Sequence, residues 1–252
     1  MVKYCLNDAN SGLPSWWFIF TGAIYFISCI PYKMEAKMNG LSIWGFLIKC
    51  FSNPYYYLLI LLPLLFIFLL RLHWVPAPLV LSRADTFSRY VNARYSTLLA
   101  YLAIIILYHF VLTIIFGWGL PYRSASMPVM GSSGKLLGVF SNYFDSALLA
   151  ALTALFTYMI GLSFISFLIG AFIMLLPKKA AVMGVIGTYI FVYLGVQRGS
   201  LWNLECVFWG NYLLLSNELV DNVFPVPMVV MLIGCACLWY IIGKRWCYSK
   251  AW

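Results

Sequence analysis

Residues 146–176, SALLAALTALFTYMIGLSFISFLIGAFIMLL, run for 31 positions without a charged side chain. As an α-helix the run is about 46 Å long. That exceeds a bilayer core of ~30 Å but falls short of two crossings. One long membrane helix is expected, tilted or bent near Gly161 or Gly170. The remainder of the chain has the same character. Of 252 residues, 64% are hydrophobic, 19% aromatic and only 9% charged, and the mean hydropathy is +0.92. An ordinary soluble domain is about 25% charged, so the charges here are too few for a water-facing shell. A soluble enzyme, a nucleic-acid-binding module and a disordered chain are excluded. The class is an all-α polytopic membrane protein.

Five further apolar runs complete a reading of six transmembrane helices: 15–32, 54–74 and 95–118 on one side of the long run, 180–196 and 226–243 on the other. Tryptophans and tyrosines at several run ends suit interfacial belts. The net charge of +9 then reads as topological information rather than as a nucleic-acid surface. With both termini cytoplasmic, ten of the 16 basic residues fall inside and six outside, the bias described by the positive-inside rule. The basic cluster after the second span and the Lys178–Lys179 turn carry it, while Lys33, Lys37 and Lys49 oppose it. A multi-pass cell-membrane protein is the expectation, contacting membrane lipid, with Lys244 and Arg245 as anchors for anionic lipid. The first apolar run lacks a basic flank and a small-residue cleavage site, so no cleavable signal peptide is expected.

Three connections are more than tethers. Residues 40–52, GLSIWGFLIKCFS, are apolar around one lysine and read either as an interfacial helix on the outer leaflet or as an early start of the second span. Residues 119–145 form an outer loop containing Gly, Ser and Pro. Residues 197–225 are apolar but interrupted by Arg198, Glu205, Asn211, Asn217, Glu218 and Asp221. A re-entrant outer helical hairpin before the last span accounts for that mixture, since such backbone is tolerated where protein buries it. Within it Glu205, Trp209 and Glu218 are candidate outer-gate or substrate-contact residues, set against a plainer reading as a headgroup-facing edge.

Soluble chemistry leaves little trace. No zinc-type CxxC pair occurs among the seven cysteines, and neither His73 nor His109 belongs to a metal-ligand cluster. No metal site and no catalytic residue is assigned. His109 lies within the third span and reads as a neutral, hydrogen-bonded packing residue, with a proton relay as the rival reading. Cys50 and Cys206 both fall outside, where two free thiols are favoured over a disulfide. The segment GSSGKLL at 131–137 imitates a phosphate loop but fails it: Val129 stands where the first glycine belongs, and Leu136 follows the lysine. The chain is not expected to hydrolyse nucleotide itself.

The polar stretch with most content is VLSRADTFSRYVNARYS, residues 80–96. Ser82 can cap a short helix, about 82–94, with Asp85 in its first turn and Arg89 four residues on. Its two readings are a snorkelling basic loop that sets topology and a docking helix for a cytoplasmic partner.

The order FSNPYYYLLILLPLLFIFLL, then LSRADTFSRYVNARY, then directly an apolar helix, resembles six-span permeases of the ABC-2 type. It is closest in layout to the small ones of bacterial peptide export and bacteriocin immunity. The layout covers nearly the whole chain; the sequence-level likeness covers roughly 51–105. The resemblance implies that the helix at 82–94 couples to a cytoplasmic ABC ATPase through Arg83, Asp85, Phe87, Arg89, Tyr90 and Arg94. It implies that ATP and magnesium are bound by that partner, so this chain carries no cofactor. A second permease copy or a related chain completes the transporter, and a broken pair of outer helices precedes the sixth span. With 19 Phe, 18 Tyr and 10 Trp, the path suits an exported hydrophobic or amphipathic molecule such as a peptide. Two alternatives stand beside this: a non-transporting membrane scaffold, and an intramembrane enzyme.

Overall fold

The computed structural model describes residues 15–74, 87–122, 132–196, 214–220 and 223–249, and every regular element among them is helical. In chain order these are α1 (Ser15–Met38), α2 (Ile43–Phe51) and α3 (Pro54–Tyr56), which passes through a π-helical turn (Tyr57–Leu61) into α4 (Leu62–Trp74). Then follow α5 (Phe87–Phe116), α6 (Ser132–Ser141), α7 (Ala147–Leu175), α8 (Lys178–Val196), α9 (Leu215–Val220) and α10 (Val226–Ser249).

The charge-free run is a single helix, α7, and it forms the axis against which α2, α4, α5, α8, α9 and α10 pack. Lipid tails are as apolar as leucine, so close packing rather than water exclusion must hold helices together here. α7 supplies the small residues this needs: Ala150, Ala151, Ala154, Gly161, Gly170 and Ala171 are all buried. On α10, Gly234 performs the same task in reverse. The ring of Phe164 sits so close that a β-carbon at 234 would meet it at 2.5 Å.

Ring and hydrogen-bond pairs give the helix directions. Phe18 meets Tyr108 and Phe26 meets Phe116, so α1 and α5 run parallel. Lys49 meets Glu35 while Tyr56 meets Tyr25, so the chain from α2 onward returns antiparallel to α1. Tyr95, early in α5, packs on Phe167, late in α7; Thr157 contacts Met228 and Phe167 contacts Trp239, making α10 parallel to α7. α8 doubles back after Pro177, which brings Gly184 against the Phe172 ring of α7. Hence α1, α5 and α8 point one way, and α2–α4, α7 and α10 the other.

Two of these helices, Val91–Phe116 and Ala147–Leu175, are long and apolar enough to cross a membrane. A third crossing is reached if α2 and Pro54–Ile67, bent by 41°, count as one. Lys179–Gly195 and Val226–Ile242 are apolar but shorter; seventeen residues rise only about 26 Å. Length and apolarity among the described residues therefore stop short of six spans. Large apolar side chains such as Phe20, Ile27, Leu107, Leu149, Met183 and Ile233 face outward, as a lipid-facing surface requires and a soluble one does not tolerate.

Residues 40–52 do not lie on a surface. α2 is enclosed between α1, α5 and α7, with Ile43, Phe46, Leu47, Ile48 and even Lys49 buried. Of the two readings, the early start of the second span is the nearer. Ser42 caps α2 through the Gly45 N–H, and the Ile43 N–H reaches the Pro121 carbonyl at 3.0 Å. The break follows from Asn53–Pro54: the Asn53 side chain accepts from the Tyr55 and Tyr56 N–H groups and restarts the helix. Pro63 then explains the π turn. It has no N–H to give to a preceding carbonyl, and the Leu62 N–H goes to Tyr57. The Leu58 carbonyl left over accepts the Tyr189 hydroxyl of α8 at 3.2 Å.

Candidate functional site

The buried residues of α1, Thr21, Gly22, Tyr25, Cys29 and Ala36, recur at helical spacing and form one stripe. Against it, α2, α3 and α5 assemble a polar seam within an otherwise apolar bundle. At its centre lies His109 of α5, 3% exposed. Its Nδ1 bonds the Ile105 carbonyl at 2.8 Å, and its Nε2 lies 2.6 Å from the Tyr56 hydroxyl. A carbonyl only accepts, so Nδ1 carries the hydrogen and, in the neutral ring, Nε2 accepts from Tyr56. The Tyr25, Tyr56 and Tyr108 rings enclose the imidazole at centroid distances of 4.7, 5.5 and 5.6 Å.

One turn further, the Thr113 hydroxyl donates to the His109 carbonyl, which leaves its oxygen to accept the Tyr25 hydroxyl at 2.6 Å. Tyr108 donates to the Phe18 carbonyl at 2.6 Å. Gly22 makes that reach feasible, because a β-carbon there would collide with the Tyr108 hydroxyl. Toward the α1–α2 connection, Cys29 and Cys50 are adjacent free thiols. Beyond them Lys49 pairs with Glu35 at 2.6 Å, the lysine 5% exposed and the carboxylate 30%.

Both His109 nitrogens and the Tyr25 and Tyr56 hydroxyls are thus engaged, and among the described residues no acid bonds the imidazole. A buried imidazole with both nitrogens bonded is what a packing role for His109 requires. Chemically the seam holds α1, α2, α3 and α5 in fixed register. Among the described residues no three His, Cys, Asp or Glu side chains converge as a metal site.

The residues singled out in the sequence lie elsewhere. Arg83 and Asp85, with Glu205 and Trp209, fall outside the described residues. Phe87, Arg89, Tyr90 and Arg94 occupy the opening turns of α5, which continues unbroken into the membrane-length helix rather than forming a separate element. Arg94 is buried. Nearby, Trp239 Nε1 donates to Asn92 at 2.6 Å and ties these turns to α10. Glu218 falls in the short α9, which packs on α6 and α7 and is the described part of the region read as re-entrant. The GSSGKLL lysine falls within α6.

The seam itself was missed. Its available signal was Lys49, a lone charge in the apolar stretch 40–52, which demands a counter-ion wherever it is buried; Glu35 is the nearest acid in the chain. No family model, curated protein or solved structure matches the chain.

Proposed function

We propose that the chain is a membrane-spanning permease subunit of an ATP-driven ABC-2-type exporter. It has six spans, with both termini cytoplasmic. The observation that carries the reading is the continuity of α5: its basic opening turns, bearing Arg89 and Arg94, belong to the same 30-residue helix that holds His109 and Thr113. A force applied to those turns passes rigidly along α5 into the seam and, through Asn92–Trp239, into α10. The alternation of helix direction supports the topology. It gathers Arg89, Arg94, Lys178 and Lys179 at the end where α5 and α8 begin, the cytoplasmic end by the positive-inside rule.

In this reading Arg83, Asp85, Phe87, Arg89, Tyr90 and Arg94 receive a cytoplasmic ABC ATPase, which binds ATP and magnesium. Two permease chains flank the path. Cargo is a hydrophobic or amphipathic molecule such as a peptide, and Glu205, Trp209 and Glu218 stand at its outer exit. A proton-coupled carrier is disfavoured because His109 has both nitrogens engaged and, among the described residues, no acid bonded to it. The test is mass spectrometry of what co-purifies with the tagged chain from its native membrane in mild detergent. A stoichiometric ATP-binding protein is expected, lost on replacing Asp85→Asn and Arg89→Gln together. Recovery of the chain alone, where known membrane complexes survive, would overturn the reading and favour a scaffold.

A further inference from the structure

The face of α1 that borders its buried stripe at Cys29 holds a groove. Phe26, Cys29, Ile30, Lys33, Met34 and Lys37 line it from α1, and Phe116 closes it from α5, around a cavity of about 180 Å³. Small-molecule sites usually enclose about 300–1,000 Å³, so this groove is too small to surround a soluble ligand. It suits a molecule that lays only part of itself there and leaves the remainder in the bilayer.

Its two ends differ chemically. Phe26 and Ile30 give the deeper end an apolar floor, with the Phe26 and Phe116 rings 4.4 Å apart. One and two turns on, Lys33 and Lys37 stand four residues apart on the same helix face. The acid between them, Glu35, points away toward α2 and is held by Lys49. No ion pair to Lys33 or Lys37 occurs among the described residues. The groove therefore presents two cationic groups where the apolar floor ends, the complement of an acyl chain joined to an anionic headgroup.

We infer that this groove binds an anionic phospholipid of the bilayer, its acyl chain along Phe26, Ile30 and Phe116 and its phosphate across Lys33 and Lys37. The site depends on insertion in a membrane and not on what the chain transports. It also accounts for lysines that run against the charge bias of the other loops: they serve a lipid rather than topology.

The test places a photo-cross-linker in the groove, Met34→benzoylphenylalanine, Met34 being 65% exposed. The full chain is reconstituted in nanodiscs of phosphatidylcholine with a minority of phosphatidylglycerol, and the lipid captured on irradiation is identified by mass spectrometry. Each basic side chain near an anionic surface is worth enough that enrichment of phosphatidylglycerol over its bulk fraction should reach about fivefold. The enrichment should vanish with Lys33→Gln and Lys37→Gln together, and persist with Lys178→Gln and Lys179→Gln at the far end. Capture at the bulk ratio, enrichment indifferent to Lys33 and Lys37, or capture of a second protein chain would each overturn it. Helix content by circular dichroism, unchanged in the lysine variants, separates loss of the site from loss of the fold.

Discussion

The contacts of α7 and those of α1 solve the same problem by different means. α7 meets α8 and α10 through volume: its Phe172 and Phe164 rings fill the space left at Gly184 of α8 and Gly234 of α10, and its Phe167 ring packs on Trp239. α1 meets α2 and α5 through direction, with Glu35–Lys49 and Tyr25–Thr113 joining it to each, and Tyr56–His109 fastening α3 to α5 beside it. In a solvent as apolar as the side chains, dispersion rewards any close fit, so a smooth packed face can slide. A hydrogen bond or ion pair cannot slide without leaving a polar group in hydrocarbon. The packed axis supplies cohesion, and the seam supplies register.

The difference can be broken experimentally. Lys49→Met removes the ammonium that pairs with the Glu35 carboxylate at 2.6 Å. Because that carboxylate is only partly buried, the expected loss is about 2–3 kcal/mol, below the full cost of a stranded charge. Unfolding in detergent should show it, and adding Glu35→Gln should recover most of it. A double variant as weak as the single would assign Lys49 to packing. Next in size is Gly234→Ala, whose methyl group enters the Phe164 ring space at a cost of about 1–3 kcal/mol. Here volume, not polarity, should rescue: Phe164→Leu in the same chain restores the melting temperature if steric fit is the cause.

Tyr56→Phe keeps the ring and removes the hydroxyl from His109 Nε2, which is expected to lower stability by about 1 kcal/mol. A thermodynamic cycle with His109→Leu should find the two effects coupled, and additive effects would remove the hydrogen bond from the account. The smallest change is Tyr189→Phe, which deprives the Leu58 carbonyl of its donor and should cost about 0.6 kcal/mol. A melt unchanged within error would mean that another group serves that carbonyl.

Much of this was legible in one dimension. The absence of charge over 146–176 determined α7 as one helix, composition determined the membrane class, and the basic runs marked one end of the bundle. What failed to show was which face of each helix turns inward. In a soluble helix the polar face reports that; here both faces are apolar, and the exposed residues of α1, Phe26, Ile27 and Ile30, look no different from those of a core. The same ambiguity hid α2, whose apolar pattern suited a leaflet surface as well as an interior.

By itself, then, the sequence determined what can be summed along the chain: hydropathy, charge, length, and the prolines that interrupt a helix. Tertiary structure alone decided the pairings. Tyr25 finds Thr113 across 88 positions and Tyr56 finds His109 across 53, separations that no local window spans. Whether Lys49 is a surface charge or one half of a buried pair depends on α1 lying beside α2. That is a property of the packed helices, because only their contact removes the water and lipid headgroups that would otherwise satisfy the charge.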